Sequence, residues 1–412
     1  QIYTRSQDLK EGEYQAFKEM DLGDIIYVHG YVFKTQKGEL SIYAKQVTLL
    51  SKALHPLPDK YHGLADVEIC YRQRYVDIMV NTLTKERFIT RAAAISALRA
   101  FLIQQRYIEV ETPMMHALAS GANARPFATH HNTLDMPLYL RVAPELHLKR
   151  LLVGGFDRVF EINRNFRNEG VSTKHNPEFT MVEYYQAYAD YQVMMQVTEE
   201  LIRHVVKSVH PSGILTYQGI TFDFNKPIDR FTMLEAIVHY CDNIRVEELA
   251  SLEAIKKVAQ DNNVSVPEDA PLGVWQLALF EELVEEKIEQ PCFITQYPTV
   301  VSPLARASDT NKEVTDRFEL FIAGKEIANG FSELNDPEDQ AARFAAQQEA
   351  KKQGDAEAMD YDKDYIVALE YAMPPAGGVG IGIDRLIMLL TDAPSIRDVI
   401  LFPLMRHKEA EH

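Results

Sequence analysis

Cysteine is scarce in this 412-residue chain: Cys70, Cys241 and Cys292 are odd in number, far apart and outside any C-x-x-C pair. That argues against a disulfide framework or a cysteine-held zinc site, and leaves buried or idle thiols of the kind a reducing cytoplasm keeps. Long apolar runs are missing as well. None approaches the roughly 18 residues that would suggest a membrane span, so no membrane partner is expected. No signal peptide is visible, but residue 1 is Gln rather than Met. The expectation is a chain short of its N-terminal portion and of any targeting segment there. Positive charge is in deficit, with 43 Lys+Arg against 60 Asp+Glu and a formal charge of −17. Such a field repels phosphate, so composition by itself speaks against nucleic acid. Any such partner must be met by basic patches acting within a Debye length of about 8 Å. Neither the P-loop pattern G-x-x-x-x-G-K-[ST] nor the dinucleotide pattern G-x-G-x-x-G occurs, which removes the two commonest phosphate-binding loops. Repeats and low-complexity tracts are absent, and Trp275 is the only tryptophan.

What is present is ordinary for a globular protein: 46% hydrophobic and 25% charged residues, and length enough for two or three domains with a large core. The chain is organised around Phe160 to Tyr185, F-E-I-N-R-N-F-R-N-E-G-V-S-T-K-H-N-P-E-F-T-M-V-E-Y-Y. Phe160, Ile162 and Phe166 alternate with polar residues, a polar loop follows, and a second run starts at Glu178. The pattern predicts two antiparallel strands joined by a long loop. Alternation puts Phe179, Glu183 and Tyr185 on one face of the second strand. Arg167 and Glu169 stand where the first strand gives way to the loop, which also carries His175. A guanidinium, carboxylates, an imidazole and an aromatic plate on one surface suit a phosphate or carboxylate and a flat base. A sheet edge with solvated charges is the alternative.

F-R-N-E (Phe166 to Glu169) followed by H-N-P-E-F (His175 to Phe179) resembles motif 2 of class II aminoacyl-tRNA synthetases, in its lysine-specific form. G-V-G-I-G-I-D-R (Gly378 to Arg385) is similar to motif 3, and F-L-I-Q-Q-R-Y-I-E-V-E-T-P (Phe101 to Pro113) to motif 1. Three ordered motifs at compatible spacing are a specific signal. The resemblance covers nearly the whole chain, while the class I signatures H-I-G-H and K-M-S-K-S are absent. It implies an α+β fold: an antiparallel sheet flanked by helices, preceded by a partial OB-fold β-barrel. Residues 1–55 are then the C-terminal half of an anticodon-binding OB-fold, with a hairpin of Ile25–Lys34 and Glu39–Leu50 around Thr35-Gln36-Lys37-Gly38. The strands that stack anticodon bases would precede residue 1, so lysine activation but poor tRNA charging is expected of this stretch. Residues 56–72 are a linker punctuated by Pro56-Leu57-Pro58-Asp59, and residues 73–412 a catalytic domain with a helical insertion at about 231–289. Lys85–Gln105 has the apolar spacing of an amphipathic helix, and by resemblance it and the following strand build a homodimer interface. Gln340–Met359 reads as one exposed helix interrupted near Gly354.

The reaction implied is ATP-dependent activation of L-lysine to lysyl-adenylate and transfer to tRNA(Lys), in the cytoplasm. Attack of a carboxylate on a phosphate requires charge neutralisation and fixed geometry. Arg167 is the catalytic candidate, bridging the α-phosphate and the substrate carboxylate. By resemblance ATP is held by Arg167, Glu169 (at the adenine amino group), His175 (at the γ-phosphate), Asn176, Phe179 (beneath the adenine), Glu319, Asn329 and Arg385 (over its other face). Lysine is held by Gly121 in a closing loop, Glu145, Arg167, Glu183, Tyr185, Asn329, Phe331 and Glu333. Several carboxylates lining one small pocket suit a substrate with an extra positive charge, since unpaired they would cost several kcal/mol each. Gly378, Gly380 and Gly382 strip one face of a strand of side chains, for a ligand or for tight packing.

In Phe318–Asp336 a hairpin turning between Ile322 and Ala323 would set Glu319 across from Glu326. Such a pair needs a cation, which by resemblance is Mg²⁺; surface charge on a hairpin is the alternative. Simple alternation cannot place Glu326 on the face of Asn329, Phe331 and Glu333, so a bulge near Ala328-Asn329-Gly330 is expected. The loop Ala119–Arg125 departs from the family's Gly-Gly-Ala-rich form at Ser120 and Asn123, which bears on pocket closure. Two other readings are a lysine-activating paralogue that modifies a translation factor and a catalytically idle homologue. The hairpin at 25–50 speaks against the first, and Arg167, Glu169, Glu319, Glu326 and Arg385 against the second.

Overall fold

The computed structural model describes residues 1–57 and 66–406. Pro58 and Asp59 of the expected linker lie outside them. The chain divides into two compact units, Gln1–Lys85 and Glu86–His412.

The first unit contains β1 (Ile2–Tyr3), α1 (Glu13–Lys18), β2 (Ile25–Lys34), β3 (Leu40–Ser51), α2 (Val67–Arg72) and α3 (Arg74–Val80). The expected hairpin is present. β2 and β3 pair antiparallel, and Gly38 takes φ 83° in the connecting loop, a conformation open to glycine at little cost. β1 adds parallel to β3, giving a three-stranded sheet in the order β1-β3-β2 that does not close into a barrel. Its apolar cluster is small, with Leu9, Ala44 and Val47 buried.

The second unit opens with the body of α4 (Thr82–Gln104), then β4 (Ile108–Glu109), β5 (Met115–His116), β6 (Phe127–His131), β7 (Met136–Leu140) and α5 (Glu145–Val153). β8 (Arg158–Phe166) and β9 (Glu178–Ala187) are the two predicted strands around the long loop. They are followed by α6 (Tyr191–Val209), β10 (Ile214–Tyr217), β11 (Ile220–Asp223), β12 (Asp229–Thr232), α7 (Met233–Tyr240), α8 (Leu252–Asp261) and α9 (Leu272–Leu283). The chain ends with β13 (Cys292–Thr295), β14 (Arg317–Phe321), β15 (Glu326–Ser332), α10 (Pro337–Lys352), α11 (Lys363–Glu370), β16 (Ala376–Gly382), α12 (Ile383–Leu390) and α13 (Ile396–Val399).

One sheet of eight strands, in the order β12-β13-β14-β15-β16-β9-β8-β4, carries the unit. Its six central strands run antiparallel, and β12 and β4 join the edges in parallel. One face is packed: Val182, Tyr184, Phe318, Leu320, Val379 and Ile381 meet α4, α6 and α12 in the main core. The α6 positions Met194, Thr198, Leu201, Ile202, Val205 and Val206 form one buried stripe at helical spacing, and Asp190 caps the helix by accepting from Gln192 N and Val193 N. Each fully buried aliphatic side chain there contributes about 1.5–3 kcal/mol relative to exposure. The opposite face of the central strands is left for the site.

The predicted helix over Lys85–Gln105 is found as α4, but its apolar residues divide. Ala94, Leu98, Phe101 and Leu102 are buried, while Ile89 is 59% and Ile103 54% exposed. The stretch 231–289 does form short helices, and Met233, Ile237, Leu249, Ile255, Trp275, Leu279 and Phe280 give them a core of their own. The helix expected over Gln340–Met359 is α10 instead, and it is not simply exposed: Phe344 is fully buried where α10 packs on α11 around Tyr365, and Gln340 is fully buried with its Nε2 donating to Pro303 O. No helix among the described residues is long and apolar enough to cross a membrane.

Candidate active site

Alternation along β9 sends Val182 and Tyr184 into the core and Phe179, Met181, Glu183 and Tyr185 to the open face, as expected for three of these four. β16 lies between β9 and β15 so that Gly378 pairs with Tyr185 and Phe331, and Gly380 with Glu183 and Asn329. The missing side chains make a trough. A Cβ on Gly378 would fall 2.2 Å from Glu333 Oε1 and 2.4 Å from the Tyr185 ring, so this position admits only glycine without movement. The trough belongs to a cavity of about 460 Å³. Gly121, Glu145, Arg167, Glu169, His175, Asn176, Phe179, Glu183, Tyr185, Glu319, Glu326, Asn329, Phe331 and Arg385 line it. Apart from Glu333, every residue predicted for the site is therefore in one cavity wall.

At one end the β8–β9 loop is pinned where it leaves the sheet: Arg167 N donates to Pro177 O at 2.9 Å and Asn168 N to Arg125 O at 2.7 Å. The Arg167 guanidinium lies 5.1 Å from the Phe179 ring centroid, and its buried Nε has no hydrogen-bond partner among the described residues. Asn176 Oδ1 is buried and unpartnered in the same way. Buried polar atoms of this kind are costly unless a ligand meets them. Arg385 Nη2 donates to His175 Nε2 at 3.1 Å and Nη1 to Glu326 O at 2.8 Å. Burial, with Arg385 alongside, pushes the His175 imidazole down, which suits its role as acceptor. Asp384 ties α12 to β9 and α4, accepting from Thr180 N of β9 at 2.7 Å and Arg91 Nη1 of α4 at 2.6 Å.

The β14–β15 hairpin corrects the expected register. Its turn is centred on Ala323-Gly324, with φ 53° and 63°, so Phe321 pairs with Glu326 and Glu319 with Asn329. Both central residues at positive φ mark the two-residue hairpin turn that favours glycine second. A bulge is present, at Ile327 rather than at 328–330, and it brings Glu326 to the cavity with Asn329 and Phe331. Glu319 and Glu326 do not face each other directly, and each has a cation of its own. Arg317 Nη2 reaches Glu319 Oε1 at 2.5 Å, Tyr297 Oη donates to Glu319 Oε2 at 2.8 Å, and Arg385 Nη1 stands 3.3 Å from Glu326 Oε2. Burial still pushes the Glu319 carboxyl up to about 7, against the pull of Arg317.

At the other end Tyr185 Oη donates to Glu183 Oε2 at 3.0 Å, and burial pushes the Glu183 carboxyl up to about 8 with Glu145 close by. Glu333 stands one layer behind the wall, 1% exposed, in contact with the buried ammonium of Lys149. The Lys149 Nζ also meets Glu145 Oε1 at 2.6 Å. The premise that a substrate must supply the pocket's positive charge is therefore corrected, because the chain supplies one cation itself. Gly121 has φ 104° and backs onto Ala143 O. Its loop is held by Ala119 N donating to Asp360 Oδ2 at 2.9 Å, with Asn123 in the wall and Ser120 buried behind it.

Sequence reasoning missed Lys149, Arg317, Met181 and Asp384. Two had a signal: Lys149 is one helical turn after Glu145, and Arg317 is two strand positions before Glu319.

Residues 66–406 match the family profile of tRNA synthetases class II (D, K and N). The lysine–tRNA ligase of Legionella pneumophila (strain Paris) is 58% identical over 406 residues, covering 98% of this chain and 82% of that protein. The lysine–tRNA ligase of Coxiella burnetii (strain Dugway 5J108-111) is 55% identical over 408 residues, covering 99% and 82%. With that extent of identity, the chain belongs to the lysine–tRNA ligases, class II aminoacyl-tRNA synthetases.

Proposed function

We propose that the cavity binds ATP and L-lysine and joins them as lysyl-adenylate, which the enzyme then passes to tRNA(Lys). The observation that carries this is one trough with a guanidinium over an aromatic plate at one end (Arg167, Phe179) and buried carboxylates at the other (Glu145, Glu183). A lysine carboxylate oxygen attacks the α-phosphorus, the bond from that phosphorus to the β-phosphate bridge breaks, and pyrophosphate leaves. Arg167 neutralises both anions and lines them up. Phe179 and Arg385 sandwich the adenine, Glu169 accepts from its amino group, His175 attends the γ-phosphate and Asn176 stands beside the nucleotide. Gly121, Glu145, Glu183, Tyr185, Asn329, Phe331 and Glu333 serve the amino acid.

Mg²⁺ fits the donors present: two carboxylates, Glu319 braced by Tyr297 and Glu326 partly exposed, are hard oxygen ligands that leave the remaining positions to phosphates. Bound there, the ion would screen the ATP phosphates.

Exposed Ile89, Ile103, Met114 and Met115 support a homodimer through the motif 1 region. Residues 1–55 are assigned to anticodon binding as part of an OB-fold, 56–72 to a linker and 73–412 to catalysis. We place the enzyme in the cytoplasm, where buried thiols such as Cys241 and Cys292 stay reduced. ATP–pyrophosphate exchange across a panel of amino acids tests the reading: lysine alone should support it strongly, and exchange with another amino acid instead would overturn it.

A further inference from the structure

We infer that Lys149 is a positioning residue that sets the charge and aim of the carboxylates at the amino-acid end of the cavity. The inference rests on the reading that this cavity takes lysine, and adds what prepares it to do so.

Lys149 projects from α5 one turn after Glu145, and its side chain is wholly buried. Its Nζ is 2.6 Å from Glu145 Oε1, in contact with Glu333 Oε2, and 5.3 Å from the Phe331 ring centroid. Glu145 and Phe331 line the cavity, so three wall or near-wall residues converge on one internal ammonium. Neither Glu333 oxygen has a hydrogen-bond partner of good geometry among the described residues: Oε2 meets only the Lys149 ammonium as an ion pair, and Oε1 lies beside Gly378 and Tyr185, which both line the cavity. Lys149 thus holds Glu333 by one oxygen and leaves the other toward the ligand side.

The charged and titratable groups around it are Glu145 on its own helix, Glu333 after β15 and Tyr365 on α11, with Glu183 and Tyr185 of β9 facing the carboxylates and Arg150 adjoining Tyr365. Burial lowers the Lys149 ammonium, but Glu145 and Glu333 more than reverse this, so it keeps its proton. Burial also holds the Glu183 and Glu333 carboxyls up, and Lys149 is the charge that draws Glu333 back down, so that a second ammonium can displace its proton. Without Lys149 those protons would be held to higher pH, and a protonated pocket accepts a neutral isostere of lysine as readily as lysine itself.

The test compares the unmodified chain with Lys149→Met, Lys149→Gln and Lys149→Arg in amino-acid-dependent ATP–pyrophosphate exchange, with lysine or norleucine. For Met and Gln, the lysine KM should rise at least about 10-fold while the ATP KM stays within about twofold, and preference for lysine over norleucine should fall in parallel. Raising the pH from 7 to 9 should recover lysine use in these variants more than in the unmodified chain, as the carboxylates regain charge. Lys149→Arg should recover part of the lysine KM. Lysine and ATP KM values that move together, tighter lysine binding in Lys149→Met, or a Lys149→Gln chain that does not fold would each overturn the inference. The first and last would assign the cluster to stability, the second to competition with the substrate. An unmodified chain without lysine-dependent exchange would instead topple the underlying reading of the cavity.

Discussion

Among the arginines that line the cavity, Arg167 has a buried Nε with no partner among the described residues, whereas Arg317 and Arg385 are already engaged with carboxylates. Arg167→Ala should therefore cost lysine-dependent exchange at least about 10²-fold, the usual scale for one preorganised electrostatic group. Near-normal exchange in that variant would remove Arg167 from the mechanism. Glu183 makes a prediction of another kind. Its carboxyl is pushed up to about 8 by burial, while in the unfolded chain it titrates near 4.5. Between those values the folded chain holds a proton that the unfolded chain has lost, so stability falls as pH rises through the window, by at most about 1.4 kcal/mol per pH unit. Glu183→Gln, neutral throughout, should raise Tm at pH 8 and change it little at pH 4.5. Equal shifts in melts at the two pH values would show that proton linkage at Glu183 is not the cause.

The glycine strand and the hairpin beside it decide the shape of the cavity. Gly378→Ala puts a methyl where Glu333 Oε1 and the Tyr185 ring now stand. Those are side-chain atoms that can give way, so the fold should survive with a loss of about 1–3 kcal/mol. The lysine KM should rise about 10-fold or more while ATP use changes less, measured by varying each substrate in turn. A purely structural glycine would affect both alike. On the hairpin, Glu319→Gln or Glu326→Gln should raise the Mg²⁺ concentration needed for half-maximal exchange, because each weakens one hard oxygen donor. An unchanged Mg²⁺ dependence in both variants would leave the two carboxylates as partners of Arg317 and Arg385 and nothing more.

Across the whole molecule, the second unit shows apolar side chains that no described residue covers. Ile103 at 54%, Ile108 at 47% and Met115 at 56% exposed lie in or just after the motif 1 stretch, while Leu98 and Leu102 of α4 are fully buried. A 47.0 kDa chain should therefore sediment as a dimer, and Ile103→Glu combined with Met115→Glu should shift it to monomer. A native chain that sediments at 47.0 kDa at micromolar concentration would refute the pairing.

Local periodicity was enough to find β8 and β9, to put Phe179, Glu183 and Tyr185 on one face, and to mark Gly378 and Gly380 as a stripped surface. Those properties follow from backbone geometry over a few residues. The motif residues from Gly121 to Arg385 were named on another ground, the resemblance of their short stretches to class II synthetase motifs. The hairpin register was partly legible: Gly324 is where such a turn wants glycine, but a shift of the turn centre and one bulged residue moved Glu319 from Glu326 to Asn329. The division of α4 into a covered and an uncovered stripe was beyond reach, because burial depends on which elements pack and not on apolarity alone. The charge partners were decided by tertiary structure in the same way. Lys149 meets Glu333 and Arg91 meets Asp384 across long stretches of chain. An ion pair between distant elements leaves no periodic trace in either segment; the Lys149–Glu333 pair exists only once α5 has packed on β8 and β9 and the sheet has brought the end of β15 to it.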